Sequence, residues 1–147
     1  MASTPTQDYA SHRQYVFGFH VVLFGLLLLT LVGSCVNLYQ SFGDHQRVYS
    51  ASLLVALTLA TIMLFFFARV FALKSQDRAI RAEEQLRHFV LTGKLLDSRL
   101  TIRQIVGLRF ASDEELVALA RRAADQGLTE DAIKREVKAW RSDTYRV

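Results

Sequence analysis

The chain has 147 residues, of which 51% are hydrophobic, and a net charge of +4. Apolar residues concentrate before Lys74 and nearly all the charge follows it, so one membrane module plus one small polar module is the natural partition. The single cysteine, Cys35, excludes an intrachain disulfide and a Cys-based zinc site, and residues 94–147, with eleven Lys/Arg against nine Asp/Glu, lack the basic stripe that phosphate binding needs.

Residues 1–14 read as a short N-terminal cytosolic segment. Tyr9, His12, Arg13 and Tyr15 stand just before the first apolar run, where aromatics and a cation anchor at a membrane interface. Residues 15–73 form a transmembrane helical hairpin with spans of about 15–40 and 48–73, since crossing a bilayer takes about 20 apolar residues. In the first span Gly18, Gly25 and Gly33 share one face, and Thr30, Ser34, Asn37 and Ser41 form a second narrow stripe. Folding the hairpin about Asp44 and His45 brings Thr30 to the depth of Thr58 and Asn37 to that of Ser52. Small residues let helices approach, and hydroxyls and amides can bond across the gap. Val32-Gly33-Ser34-Cys35 loosely matches a lipoprotein cleavage box, but the apolar pattern continues past the cysteine through Val36 and Leu38.

Apart from Pro5 the chain has no proline, and between Gly43 and Gly93 it has no glycine. Residues 48–92 can therefore form one helix of over ~60 Å, about twice the hydrocarbon thickness. Its second half, residues 74–93, becomes a cytosolic stalk. Asp77 with Arg81, Glu83 with Arg87 and Glu84 with His88 are its expected i,i+4 pairs. The turn carries one arginine, whereas Lys74, Arg78, Arg81 and Arg87 follow the second span. Both termini are thus expected in the cytoplasm. Arg69 can snorkel to the headgroups, with His20 in its layer. No acidic residue sits in either span, so a proton or cation relay has no obvious carrier.

Residues 94–147 read as a three-helix module. Leu95, Leu96 and Leu100 lead into a short helix with Ile102, Ile105 and Val106, ending near Gly107. Ser112 with Glu115 spells a capping box for a helix to about Gln126 that buries Leu116, Leu119, Ala120 and Ala123; Gly127 stops it. Thr129 caps a last helix with Ile133, Val137 and Trp140 on one face. Phe110 and Leu128 close the core from the connections, and Arg109 is placed to form a local polar pair with Asp113. Ala123, Gly127 and Ile133 faintly echo a helix-turn-helix. However, Glu130 and Asp131 would face phosphate with the wrong sign, so no nucleic-acid partner is expected.

No Gly-rich phosphate loop or nucleophile–histidine arrangement occurs, and the four histidines are scattered. No catalytic residue, metal or cofactor is therefore expected. The runs R-F-A-S-D-E-E-L (109–116), D-R-A-I-R-A-E-E (77–84) and I-K-R-E-V-K-A-W-R-S-D-T-Y-R-V (133–147) resemble an uncharacterised bacterial family. The order Gln7, Tyr9, His12, Arg13, Tyr15 is similar to it as well. Its members are short proteins with two membrane helices and a cytosolic helical tail. The resemblance implies a bacterial inner membrane and an uncleaved N-terminus, and no mechanism.

The expected fold is all-α: a two-helix transmembrane hairpin, a second helix extended as a stalk, and a small three-helix module. The expected role is a non-enzymatic subunit, scaffold or assembly factor whose partners are the lipid bilayer and other membrane subunits or itself. The interaction residues it points to are Gly25, Thr30, Gly33, Ser34, Asn37 and Thr58 in the membrane, and Arg109, Phe110, Asp113 and Trp140 below it. The alternative is a homo-oligomeric channel or small transporter with Thr30, Ser34 and Asn37 turned inward.

Overall fold

A computed structural model describes Tyr9 and residues 15–143. The expected N-terminal positions Gln7, His12 and Arg13, and the tail beyond Asp143, lie outside the described residues. The fold is all-helical. A π-helical turn, Gly18–Leu23, runs into α1, Phe24–Gln40; α2 is His45–Thr92, α3 Ile102–Leu108, α4 Asp113–Gln126 and α5 Glu130–Glu136. The chain divides into two compact units, Tyr15–Ala72 and Leu73–Val147, the latter with the N-terminal segment that holds Tyr9. Helix α2 contributes to both.

In the first unit α1 and the first half of α2 form an antiparallel hairpin. The Asp44 carboxylate opens α2 by accepting from the Gln46 and Arg47 amides at 3.1 and 3.2 Å, which satisfies donors a helix start leaves unpaired. Gly18–Gln40 and His45–Thr92 are each long and apolar enough to cross a membrane. Only 11% of each apolar window is buried, so neither is the core helix of a globular domain. The helices meet along a narrow seam. On α2 the shielded residues are Val48, Ala51, Val55, Thr58, Ile62, Phe65, Arg69 and Ala72, at alternating steps of three and four. On the first helix the same steps run through His20, Phe24, Leu27, Leu31, Ser34, Leu38 and Ser41, with Phe19 and Gly25 half-buried beside them. A 3.5-residue repeat of this kind is that of a left-handed coiled coil. Phe19 stacks on Phe65 at 4.2 Å and closes the seam at one end.

In the second unit α2 ends where expected, because Gly93 at φ +71° enters a conformation that side-chain-bearing residues rarely adopt. Gly127, at φ +62°, ends α4 in the same way. Thr101 and Gln104 form a reciprocal capping box that starts α3, and the Thr129 hydroxyl accepts from the Ala132 amide to start α5. The core gathers Leu96, Leu100, Ile105, Leu108, Leu116, Leu119, Ala123 and Ile133, with Leu128 and Trp140 packed on its edge.

Helix α3 ends at Leu108, next to Gly107 as expected. A Cβ at Gly107 would lie 3.1 Å from the Glu130 carbonyl and 3.3 Å from Ile133, so the glycine also admits α5. Two local expectations are corrected. The Ser112 capping box does not form: Ser112 makes no side-chain cap, and Glu115 accepts from the Lys138 and Ala139 amides instead. Helix α5 ends at Glu136. Val137 turns extended and Trp140 arrives through a single antiparallel bridge to Ala111, not along a helical face.

Candidate functional site

The residues expected to carry interactions fall in two places, one in each unit. In the hairpin, Thr30, Gly33, Ser34 and Asn37 line an open cleft of about 320 Å³ with Leu54 and Thr58. The expected depth match of Thr30 with Thr58 is thus present. Only Ser34 and Thr58 lie on the seam, 8% and 7% exposed; Thr30, Gly33 and Asn37 flank it and are exposed.

The expected hydrogen bonds across the gap do not occur. The hydroxyls of Thr30, Ser34 and Thr58 donate to carbonyls of their own helices, at Leu26, Leu31 and Leu54, at 2.8 to 2.9 Å. A back-bonded hydroxyl is satisfied without a neighbour, which removes the drive to pair across a gap. Nor do the glycines mediate close approach within the chain: nothing lies within 4 Å of a Cβ placed on Gly18, Gly25 or Gly33. Residues Leu27, Ser34, Ser41 and Ala51 take that role, with Ala51 1% exposed. No hydrogen bond joins His20 to Arg69; the His20 ring nitrogen bonds the Val16 carbonyl at 2.9 Å, and its ring stacks on Tyr15.

In the second unit the stalk carries an ion-pair lock. Arg87 donates from Nε to Asp113 at 2.6 Å, from Nη1 to Glu84 at 3.0 Å and from Nη2 to the Ala111 carbonyl at 2.7 Å. Its side chain is 11% exposed and that of Glu84 5%. The second Glu84 oxygen faces Arg141 at 3.7 Å. The planar guanidinium suits this arrangement, because its five donors leave in fixed directions and reach several acceptors at once.

This geometry corrects the expected pairings. Arg109 does not pair with Asp113: it lies 3.2 Å from Asp143 and over the Phe110 ring at 4.6 Å, while Asp113 is taken by Arg87. The stalk pairs Glu83 with Arg87 and Glu84 with His88 are replaced by Glu84–Arg87 and by His88 bonding the Lys94 carbonyl at 2.7 Å; among the described residues Asp77 and Arg81 form no ion pair. Phe110 is wholly buried with its ring 4.9 Å from that of Trp140, so both serve the fold rather than an exposed contact.

The backbone of the tail is bound to the same corner, with the Arg141 amide donating to the Phe110 carbonyl at 2.8 Å. Glu84, Arg87, Arg141 and Asp143 were not among the interaction residues expected from sequence. The i,i+3 spacing of Glu84 and Arg87 was a visible signal, but their partners lie 24 or more residues away.

A further open cleft of about 1040 Å³ lies beside α5, lined by Arg99, Thr101, Arg103, Gln104, Thr129 and Lys134 among others. Its charges are largely engaged. Arg99 bonds Asp97 at 2.7 Å and Asp125 at 2.9 Å, and Lys134 bonds Glu130 at 2.6 Å. The Arg99 side chain, helped by its own backbone amide, holds the Asp97 carboxyl down to about 2. Arg99 is in turn raised, by Asp97 first and then Asp125. At the rim the Tyr9 hydroxyl bonds Asp131 and Arg135 and raises the Arg135 guanidinium, with Asp131 adding to the effect. No group of His, Cys, Asp and Glu among the described residues is placed to hold a metal ion.

Across residues 1–147 the chain matches the model of a family of unknown function, DUF6526. No curated protein and no solved structure matches it.

Proposed function

The chain belongs to the DUF6526 family, and we propose that it is a non-enzymatic integral membrane protein acting as a subunit, scaffold or assembly factor through protein–protein contacts. It sits in a bacterial inner membrane with both termini in the cytoplasm. The observation that carries this reading is the hairpin. Two helices long and apolar enough to span leave most of their surface bare, with only 11% of each apolar window buried. Such a surface needs lipid and neighbouring helices to cover it. The Arg87 lock supports the same reading, since the nearly buried Arg87 spends its donors on fixing the short helices to the stalk, through Asp113 and the Ala111 carbonyl, rather than presenting them to a ligand.

Native mass spectrometry of the full-length protein, drawn from its own membranes in lipid particles, tests this. Stoichiometric foreign subunits are the expected result. The channel reading rests on the cleft that holds Thr30, Ser34 and Asn37. It requires an assembly of this chain alone that passes ions, with a flux that Asn37→Leu abolishes while leaving assembly intact. That result would overturn the scaffold reading.

A further inference from the structure

The stalk has a second side that is exposed among the described residues; only at its edge do Ala79 and Glu83 border the tail, lining a cleft with Arg141 and Asp143. Ser75, Ala79, Ala82, Leu86 and Phe89 follow one another at steps of four, three, four and three residues, and all five are exposed. Leu86 is 64% and Phe89 49% exposed, well outside the apolar run of the span. This spacing is again that of a coiled-coil seam. The opposite side is occupied: Ile80 and Glu84 are buried there and Arg87 is bound to the module. The free stripe is small at Ser75, Ala79 and Ala82 and broad at Leu86 and Phe89, so a second helix can lie close at one end and pack side chains at the other.

The flanking charges identify the second helix. With Ala79 and Leu86 as a positions and Ser75, Ala82 and Phe89 as d, Arg78 falls at g and Glu83 at the e position five residues on. In a parallel pair, g of one helix faces e of the following heptad on the other. Arg78 then meets Glu83 of a second copy, twice by two-fold symmetry. An antiparallel pair with the same layers engaged would set g against g and e against e, leaving Arg78 opposite Gln85 and Glu83 opposite Gln76, so that neither charge is matched. Within the described chain neither Arg78 nor Glu83 has an ion-pair or hydrogen-bond partner. Copies inserted in one membrane with the same topology are parallel by necessity.

We infer that a second copy of this chain docks along the stalk as a parallel two-stranded coiled coil, with Arg78 of each copy paired to Glu83 of the other. This rests on the membrane reading above, which supplies both the parallel arrangement and the high local concentration that so short a seam needs.

Disulfide trapping of the full-length protein in native membranes tests the pairing. In a Cys35→Ser background, Ala82→Cys places a thiol on the seam and Arg81→Cys one outside it. Oxidation is expected to trap a dimer through Ala82→Cys at least about fivefold faster than through Arg81→Cys. Adding Arg78→Glu to Ala82→Cys should lower the trapped fraction about three- to tenfold, and adding Glu83→Arg as well should restore it. All these positions are exposed, so the variants leave the core untouched. Equal trapping at both positions, or trapping indifferent to charge reversal, would overturn the pairing. So would no trapping in a chain that stays in the membrane through an alkaline carbonate wash. Release by that wash would instead overturn the membrane reading, and the forced parallel arrangement with it.

Discussion

At the scale of single residues, Arg87 is the position on which most converges. It is nearly buried and shares its donors among Glu84, Asp113 and the Ala111 carbonyl. Removing one partner of a buried pair costs about 3–5 kcal/mol when the other is left uncompensated; here Arg141 still faces Glu84 at 3.7 Å and Asp113 is largely exposed, so a smaller loss of about 2 kcal/mol follows. Arg87→Ala is therefore expected to lower stability by about that amount in chemical denaturation of the purified full-length protein. The single tryptophan, Trp140, packed on Phe110 beside this corner, serves as the fluorescent reporter. An Arg87→Ala midpoint equal to that of the parent would show that the lock does not hold the module. Asp97 gives a second residue-level expectation. Its carboxyl is held near 2 against an ordinary 3.8, so the contribution of its bond to Arg99 is complete above the ordinary value and is lost as pH falls through about 2. Exchange of the Arg99 amide, which donates to Asp97 at 2.9 Å, should accelerate between pH 4 and pH 2 beyond its intrinsic rate. Asp97→Asn should abolish that step.

At the scale of elements, the helix starts separate what a motif announces from what it forms. Ser112 with Glu115 spells a capping box, yet Ser112 Oγ is buried with no hydrogen-bond partner and Glu115 serves the Lys138 and Ala139 amides. Thr101 with Gln104 does form the box, and the Gln104 amide also donates to the Ala123 and Leu128 carbonyls, tying the start of α3 to the end of α4. Gln104→Ala is expected to cost about 2 kcal/mol, because it removes a cap and takes its donor from the Leu128 carbonyl, while the Ala123 carbonyl keeps the Gly127 and Leu128 amides. Ser112→Ala should fall within about 0.5 kcal/mol of the parent, since no bond is lost. Denaturation midpoints of the two variants, read at Trp140, check the contrast, and equal losses would refute it. The same contrast runs through the hairpin. Its seam is set by a 3.5-residue repeat through Leu27, Ser34 and Ser41, which takes two members of the polar stripe and leaves Thr30, Asn37 and Gly33 exposed beside it.

At the scale of the whole molecule, the apolar windows and the cations that follow them predict an orientation. Phe42 lies in the turn between α1 and α2, and Leu95 just after α2; both are exposed. In a Cys35→Ser background, Phe42→Cys should react with a membrane-impermeant thiol reagent added outside intact cells, and Leu95→Cys only after the cells are opened. The reverse pattern would invert the topology, and labelling of both from outside would remove the second span. Orientation matters for any partner, because the proposed one would place the exposed stripe of the stalk and the short helices on the cytoplasmic side.

The sequence by itself determined the helices. Long apolar runs without proline and a glycine-free stretch between Gly43 and Gly93 fix element type, and Gly93 and Gly127 fix the ends of α2 and α4, through local backbone preferences; the end of α5 at Glu136 carries no such mark. It also determined the core of α4, because Leu116, Leu119, Ala120 and Ala123 repeat with the helical period. Only the tertiary structure decided which face of each helix meets another. In a run where nearly every residue is apolar, hydrophobicity does not mark the seam, so the choice of Ser34 and Ala51 over Gly25 and Gly33 rests on shape. Only the tertiary structure, too, assigned Arg87 to Asp113 and Arg109 to Asp143, because a charge has several partners within reach along the chain. Which one it takes depends on the directions in which distant segments return.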